Sequence, residues 1–202
     1  MLAKRSAAAL GSLLIILFVS LPALGCACCA DRGFYSLTTQ KVDSFYSTLL
    51  SDLDLTGPAE LYLSAAGFDG IKGLKEIEND NAEGRLDVTA SYAQKTWRLN
   101  VRSGTAHSGV LWLAMPAVFT QCKADIDGID NGLGVSLFKE FKISGRVSNA
   151  TGMFRSAKKA TKYTLVFHGR GNGCDDASDL TRWRVELDGP RADFAFFGKL
   201  KP

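Results

Sequence analysis

What most limits the fold of this chain is a period-two alternation of apolar and polar residues, repeated in short runs along most of its length. Leu86, Val88, Ala90 and Tyr92 alternate with Asp87, Thr89 and Ser91, and Trp97, Leu99 and Val101 alternate with Arg98, Asn100 and Arg102. Phe141, Ile143, Gly145 and Val147 form a similar set, as do Tyr163, Leu165 and Phe167, then Trp183, Val185 and Leu187, and finally Phe194 with Phe196. Successive side chains of a strand point to opposite faces, so each run predicts a half-buried strand. Ala93-Gln-Lys95 reads as a hairpin turn between the first two. Thr120, Cys122, Ala124 and Ile126 make another alternating set, which assigns Cys122 to an inward face. Val110 to Met115 is continuously apolar up to Pro116, the pattern of a strand buried on both sides. Glu60 to Ala66 is ambiguous between strand and short helix.

Only one segment carries the helical period. Val42, Phe45, Tyr46, Leu49, Leu50 and Leu53 recur at spacings of three and four, predicting an amphipathic helix over 41–53, with Thr38 or Thr39 as its cap. Strands this close in sequence pair antiparallel, because parallel pairing needs a long crossover. The expected fold is therefore mainly β: a single antiparallel β-barrel, or sandwich, of about eight or nine strands with one N-terminal amphipathic helix. Closing the edges favours the barrel.

The chain opens with Lys4 and Arg5, then an apolar stretch from Ala7 to Leu24 that Pro22 breaks near its end, where Ala23-Leu-Gly25 supplies small residues. Charged head, apolar core and small-residue cleavage site are the parts of a secretory signal peptide. The expected organisation is a signal at 1–25, a cysteine-bearing tail at 26–40 and one β-rich domain at 41–202. The expected place is the periplasm or the outer membrane, or the medium. Two of the 24 basic residues lie in the leader and all 21 acids follow it, so the exported portion is nearly neutral. That balance argues against a nucleic-acid partner.

All five cysteines follow the leader: Cys26, Cys28, Cys29, Cys122 and Cys174. In an oxidising compartment their default fate is disulfides, and an odd number leaves one over. Ala23-Leu-Gly-Cys26 approximates a lipobox, which makes Cys26 a candidate lipidation site and its lipid the route to a membrane. Cys28, Cys29, Cys122 and Cys174 then remain as disulfide candidates. Ordinary cleavage after Gly25 or Ala30 competes, and a soft-metal site at Cys26, Cys28 and Cys29 is a third reading.

The most unusual segment is His168-Gly-Arg-Gly-Asn-Gly-Cys-Asp-Asp176. Its functional reading is a ligand loop with His168, Asp175 and Asp176 as polar anchors, or an enzyme site pairing His168 with one of those acids. The plainer reading is a glycine hinge held by Cys174. The glycines lack the strand-to-helix setting of a dinucleotide fingerprint, and no cofactor motif is present. Asp125-Ile-Asp127-Gly-Ile-Asp130 misses the EF-hand spacing and reads as a hairpin turn. There is no Gly-x-Ser-x-Gly nucleophile elbow.

The Cys26-Ala-Cys-Cys-Ala30 opening resembles that of a group of uncharacterised bacterial exported proteins. Ala65-Ala-Gly-Phe-Asp69, Ile71-Lys-Gly-Leu74, Gly169-Arg-Gly-Asn-Gly-Cys-Asp175 and Phe196-Phe-Gly-Lys-Leu200 carry the same resemblance, which implies no activity. Gly145-Arg-Val-Ser-Asn-Ala-Thr-Gly-Met-Phe154 is similar to a strand–turn segment of allene-oxide-cyclase and dirigent-type β-barrels. The leading functional expectation is a non-enzymatic envelope protein binding a small apolar ligand inside the barrel. The alternative is a filled barrel that acts structurally or binds an envelope protein.

Overall fold

The computed structural model describes residues 29–62, 85–105, 107–128, 134–157, 160–189 and 192–201. Residues 1–25, Cys26 and Cys28 lie outside these residues. Ten strands follow in chain order: β1 Tyr35–Lys41, β2 Gly57–Tyr62, β3 Arg85–Ala93, β4 Thr96–Ser103, β5 His107–Ala114, β6 Val118–Ala124, β7 Leu137–Gly152, β8 Lys162–Gly171, β9 Leu180–Gly189 and β10 Ala192–Lys199. Among the described residues one α-helix, α1 Ser44–Ser51, lies between β1 and β2.

Every pairing is antiparallel, and the sheet order β7-β5-β4-β3-β2-β10-β9-β8 returns to β7, closing an eight-stranded barrel. β1 and β6 lie outside the ring. The long β7 explains how. Its first half pairs with β6 and its second half with β5, so β5 and β6 act as one broken strand along the same edge. Met115, Pro116 and Ala117 occupy the break. β5 stays in the ring beside β4, while β6 departs from it and carries β1. Among the described residues no helix is long and apolar enough to cross a membrane.

The inward side chains are those of the alternating runs, and they fill the lumen. Trp97, Leu99, Val101, Phe141, Ile143, Tyr163, Leu165, Phe167, Trp183, Val185, Leu187 and Phe196 are all buried. Their rings touch: Trp97 lies 5.9 Å from Phe167, and Trp183 meets Phe196 edge-on at 5.7 Å. An eight-stranded ring is just wide enough for side chains to occupy it in this way. α1 caps one end, where Tyr46 packs against Phe119 at 5.0 Å and Ser47 Oγ lies 3.5 Å from the Tyr92 hydroxyl. Phe154, in the turn after β7, stacks on Phe194 at the other end.

Several expectations need correcting. Tyr35–Lys41, which carried no alternation to mark it, forms a sheet strand paired with β6. The helix begins at Ser44, and its cap is Asp43, whose carboxylate accepts the Tyr46 N–H at 3.0 Å. Thr38 and Thr39 belong to β1. The ambiguous stretch after Pro58 is strand β2 as far as Tyr62. β5 is buried on one face only, through Leu111 and Leu113, because its other face looks outward from the ring. On β6 the inward residues are Phe119 and Gln121, so Cys122 faces out, inverting its expected side.

The β3–β4 hairpin turns through Gln94 and Lys95, both left-handed with φ of 48° and 55°. Each pays the left-handed penalty that Asn and Gly avoid, roughly 1 kcal/mol or more per residue. A two-residue hairpin loop of this kind favours Asn-Gly. Gln94→Asn with Lys95→Gly is expected to raise the Tm by about 2–4 °C per kcal/mol recovered. An unchanged or lower Tm in scanning calorimetry would count against a strained turn.

Candidate functional site

Two places collect polar side chains, one on each face of the β6–β7–β8 sheet. On the inner face, Lys123 of β6 lies directly across from Lys139 of β7. Like charges directly opposite in a sheet repel, and the loop after β8 supplies the answer. Asp175 takes Lys123 at 2.8 Å, and Asp179 takes Lys139, which is only 1% exposed. Lys139 also donates to the Cys174 carbonyl, and Lys123 donates to the Gly173 carbonyl at 2.6 Å. Asp175 accepts two further bonds, from the Tyr46 hydroxyl at 2.9 Å and Gln121 Nε2 at 2.6 Å. Burial and the adjacent Asp175 push the Tyr46 hydroxyl pKa far up, so it remains a donor.

This knot explains the glycines. A β-carbon on Gly169 would fall 1.9 Å from the Asp179 carbonyl oxygen, and one on Gly171 would fall 2.0 Å from the Asp179 side chain. The loop can close over the two lysines only where β8 has no side chain in its way. Asp176 accepts from Ser178 N and Oγ, both at 2.8 Å, and so caps a single 3-10 turn at Ala177–Asp179. Those bonds hold its carboxyl below the usual range. Cys174 is disulfide-bonded.

The outer face is different in kind. Residues directly opposite in antiparallel strands share a face, so the registers define rows. One row runs Leu37, Cys122, Glu140, His168, Arg182, Lys199 across β1, β6, β7, β8, β9 and β10. The next runs Thr39, Thr120, Lys142, Val166, Arg184, Phe197 and ends on Glu60 of β2. Phe138, Glu140, Val166, His168, Arg182 and Phe197 line a groove of about 450 Å³ where these rows cross β7–β10. Val166 points away from the lumen yet is 3% exposed, so its neighbours enclose it. Past Arg182 and Phe197 the groove opens into a second hollow of about 530 Å³ against β2, with Pro58, Arg85 and Lys199 on its walls.

His168 is half-buried, with the Phe138 ring centroid at 6.1 Å. Burial lowers its pKa, Glu140 pulls it up, and Arg182 and Arg184 push it down again, the net being a decrease. The imidazole is therefore neutral at pH 7. Cys122 carries a thiol whose pKa burial and then Glu140 raise, leaving little thiolate.

The structure thus separates the three expected anchors. His168 belongs to the outer groove, Asp175 to the inner knot, and Asp176 to a turn, and no hydrogen bond or ion pair joins His168 to either acid. Asp125 accepts from Gly33 N at 2.8 Å and Gly128 N at 2.7 Å, tying β1 to the end of β6. No three His, Cys, Asp or Glu among the described residues are placed to hold a metal; two of the three thiols proposed for soft metal, Cys26 and Cys28, lie outside those residues. Inside the barrel, the Trp97 indole N–H is the one buried side-chain polar atom without a partner among the described residues. Arg182, Arg184 and Glu140 went unnoticed in the sequence, where they sit as ordinary members of alternating runs, and Phe197 stood out only as part of Phe196-Phe-Gly-Lys-Leu200. No family model, curated protein or solved structure matches this chain.

Proposed function

We propose that this is a non-catalytic binding protein of the cell envelope, with the filled barrel as scaffold and the outer groove over β7–β10 as its binding surface. The observation that carries this is the convergence of His168, Arg182 and Arg184 with Phe138, Val166 and Phe197 around one groove. Small-ligand sites are concave and mostly apolar with a few placed polar groups, at volumes of roughly 300–1,000 Å³. The lumen is a poorer candidate, because tryptophan and phenylalanine rings already occupy it. The proposal also places the protein outside the cytoplasm, on the strength of its leader-like first 25 residues. Its kinship with the exported group that it resembles belongs to the same reading.

The test is binding of a small amphipathic fluorophore such as 1-anilinonaphthalene-8-sulfonate. Phe197→Ser should weaken binding about tenfold, since losing a buried aromatic contact removes one to two kcal/mol, and should leave the Tm near wild type. Leu99→Ala, inside the ring, should leave affinity unchanged. The reverse pattern would place the ligand in the lumen and defeat the proposal.

A further inference from the structure

Resting on that reading of the groove, we infer that its ligand carries an oxyanion, that this group docks between His168 and Arg182, and that docking takes up a proton. The register places these two side chains directly across from each other on β8 and β9, close enough to share one group. Their partners decide which side chain is available. Arg184 is already paired with Glu186 at 3.2 Å, and Arg170 with Asp127 at 2.6 Å. The Arg182 side chain makes no hydrogen bond or ion pair with any described residue, although it stands where the two hollows meet. A guanidinium is a planar fork of donors that fits the two oxygens of a carboxylate, sulfonate or phosphate. Lys199 lies across from Arg182 on its other side and adds to the positive field. The apolar part of such a ligand has Phe197 and Val166 beside it in the next row.

The proton follows from what faces His168. From β7 it meets Glu140 directly opposite, Phe138 alongside and Lys142 one row away; from β9 it meets Arg182 opposite and Arg184 one row away; its own strand contributes Val166 and Arg170. In the empty groove burial holds the imidazole neutral against the pull of Glu140, and the two arginines add their repulsion of a second proton. An oxyanion on Arg182 cancels that repulsion and puts a second acceptor beside the ring. His168 then lies between two anions, Glu140 and the ligand, and only the doubly protonated ring donates to both. By linkage, a group whose pKa rises on binding makes binding tighter as pH falls. Each unit of rise is worth a factor of about ten.

The experiment uses octanesulfonate, which stays ionised throughout, and octanol as its uncharged counterpart. Calorimetric titration of the full chain at pH 8.0, 6.5 and 5.5 reads affinity. Repeating it in buffers of different ionisation enthalpy counts protons. Octanesulfonate is expected to bind about tenfold tighter at pH 5.5 than at 8.0, with proton uptake near neutrality. Arg182→Gln, at an exposed position, should lose about ten- to a hundredfold at every pH. His168→Gln should bind no tighter at pH 5.5 than at 8.0, having lost the gain on acidification, while the His168 ring resonance in wild type should titrate higher with ligand than without. If octanol binds as tightly as the sulfonate, or Arg182→Gln binds normally, the oxyanion inference falls and the groove reading survives. If acid-enhanced binding persists in His168→Gln, the proton is not on His168 and that part is wrong. If neither probe binds, both readings fail.

Discussion

Replacing Asp179 with alanine is expected to lower the unfolding free energy by about 3–5 kcal/mol, the usual cost of leaving a buried charge without its partner. Lys139 is 1% exposed and has two acceptors, the Asp179 carboxylate and the Cys174 carbonyl. Without the carboxylate the ammonium is held by one neutral acceptor, across from a second ammonium on Lys123. The opposite deletion is not equivalent. Lys139→Met leaves a carboxylate that is 18% exposed and can turn to water, so its cost should be nearer 1 kcal/mol. The Lys139→Met, Asp179→Asn pair should recover much of what Asp179→Ala loses, since uncharged replacements of a buried pair are often tolerated. Urea unfolding of the four proteins measures the asymmetry. If Asp179→Ala and Lys139→Met lose equal amounts, the account of the buried ammonium is wrong.

Gly169→Ala is expected to cost roughly 3 kcal/mol, the upper part of the range for forcing a methyl group into a packed site. The added carbon would lie 1.9 Å from a backbone oxygen and 2.9 Å from the Leu180 α-carbon. Backbone atoms cannot rotate away, so either the 3-10 turn or the β8–β9 pairing must move. That pairing already shifts register between His168 and Gly169. Gly171→Ala meets only the Asp179 side chain and should cost less, though the same side chain is engaged with Lys139. Thermal unfolding separates the two. At about 2–4 °C per kcal/mol, Gly169→Ala should melt several degrees below Gly171→Ala. Equal melting temperatures would mean that the turn gives way at little cost.

Most of the ring was legible in the sequence because its strands bury one face, which is the condition for period two to appear; β2, left ambiguous, and β5, read as buried on both faces, were the exceptions. β1 was not legible, for the same reason. Both of its faces are mostly exposed, Tyr35 at 66% and Leu37 at 58% included, so burial imposed no alternation on them. The face of Cys122 was misread because β6 leaves the ring. Its inner side meets a polar knot, and Gln121 there looks like an outward residue. The knot was half legible: the glycines and acids around Cys174 stood out, but their partners Lys123, Lys139 and Tyr46 lie far away in sequence. The groove was least legible. Glu140, His168, Arg182 and Phe197 each read as the polar or spare member of a separate strand, and only the registers bring them side by side.

Closure of the ring rests on one seam. β2 pairs with β10, joining residues near 60 to residues near 197. A chain emerging in sequence order can lay down every other pairing of the ring before this one, but it stays an open, curled sheet until its last described strand arrives. Two long edges are exposed for all of that time, and such edges invite pairing with other chains. Folding dominated by distant partners is also slow. Losing β10 would therefore not trim the protein at one end. It would turn a fold with no free edge in its ring into one with two.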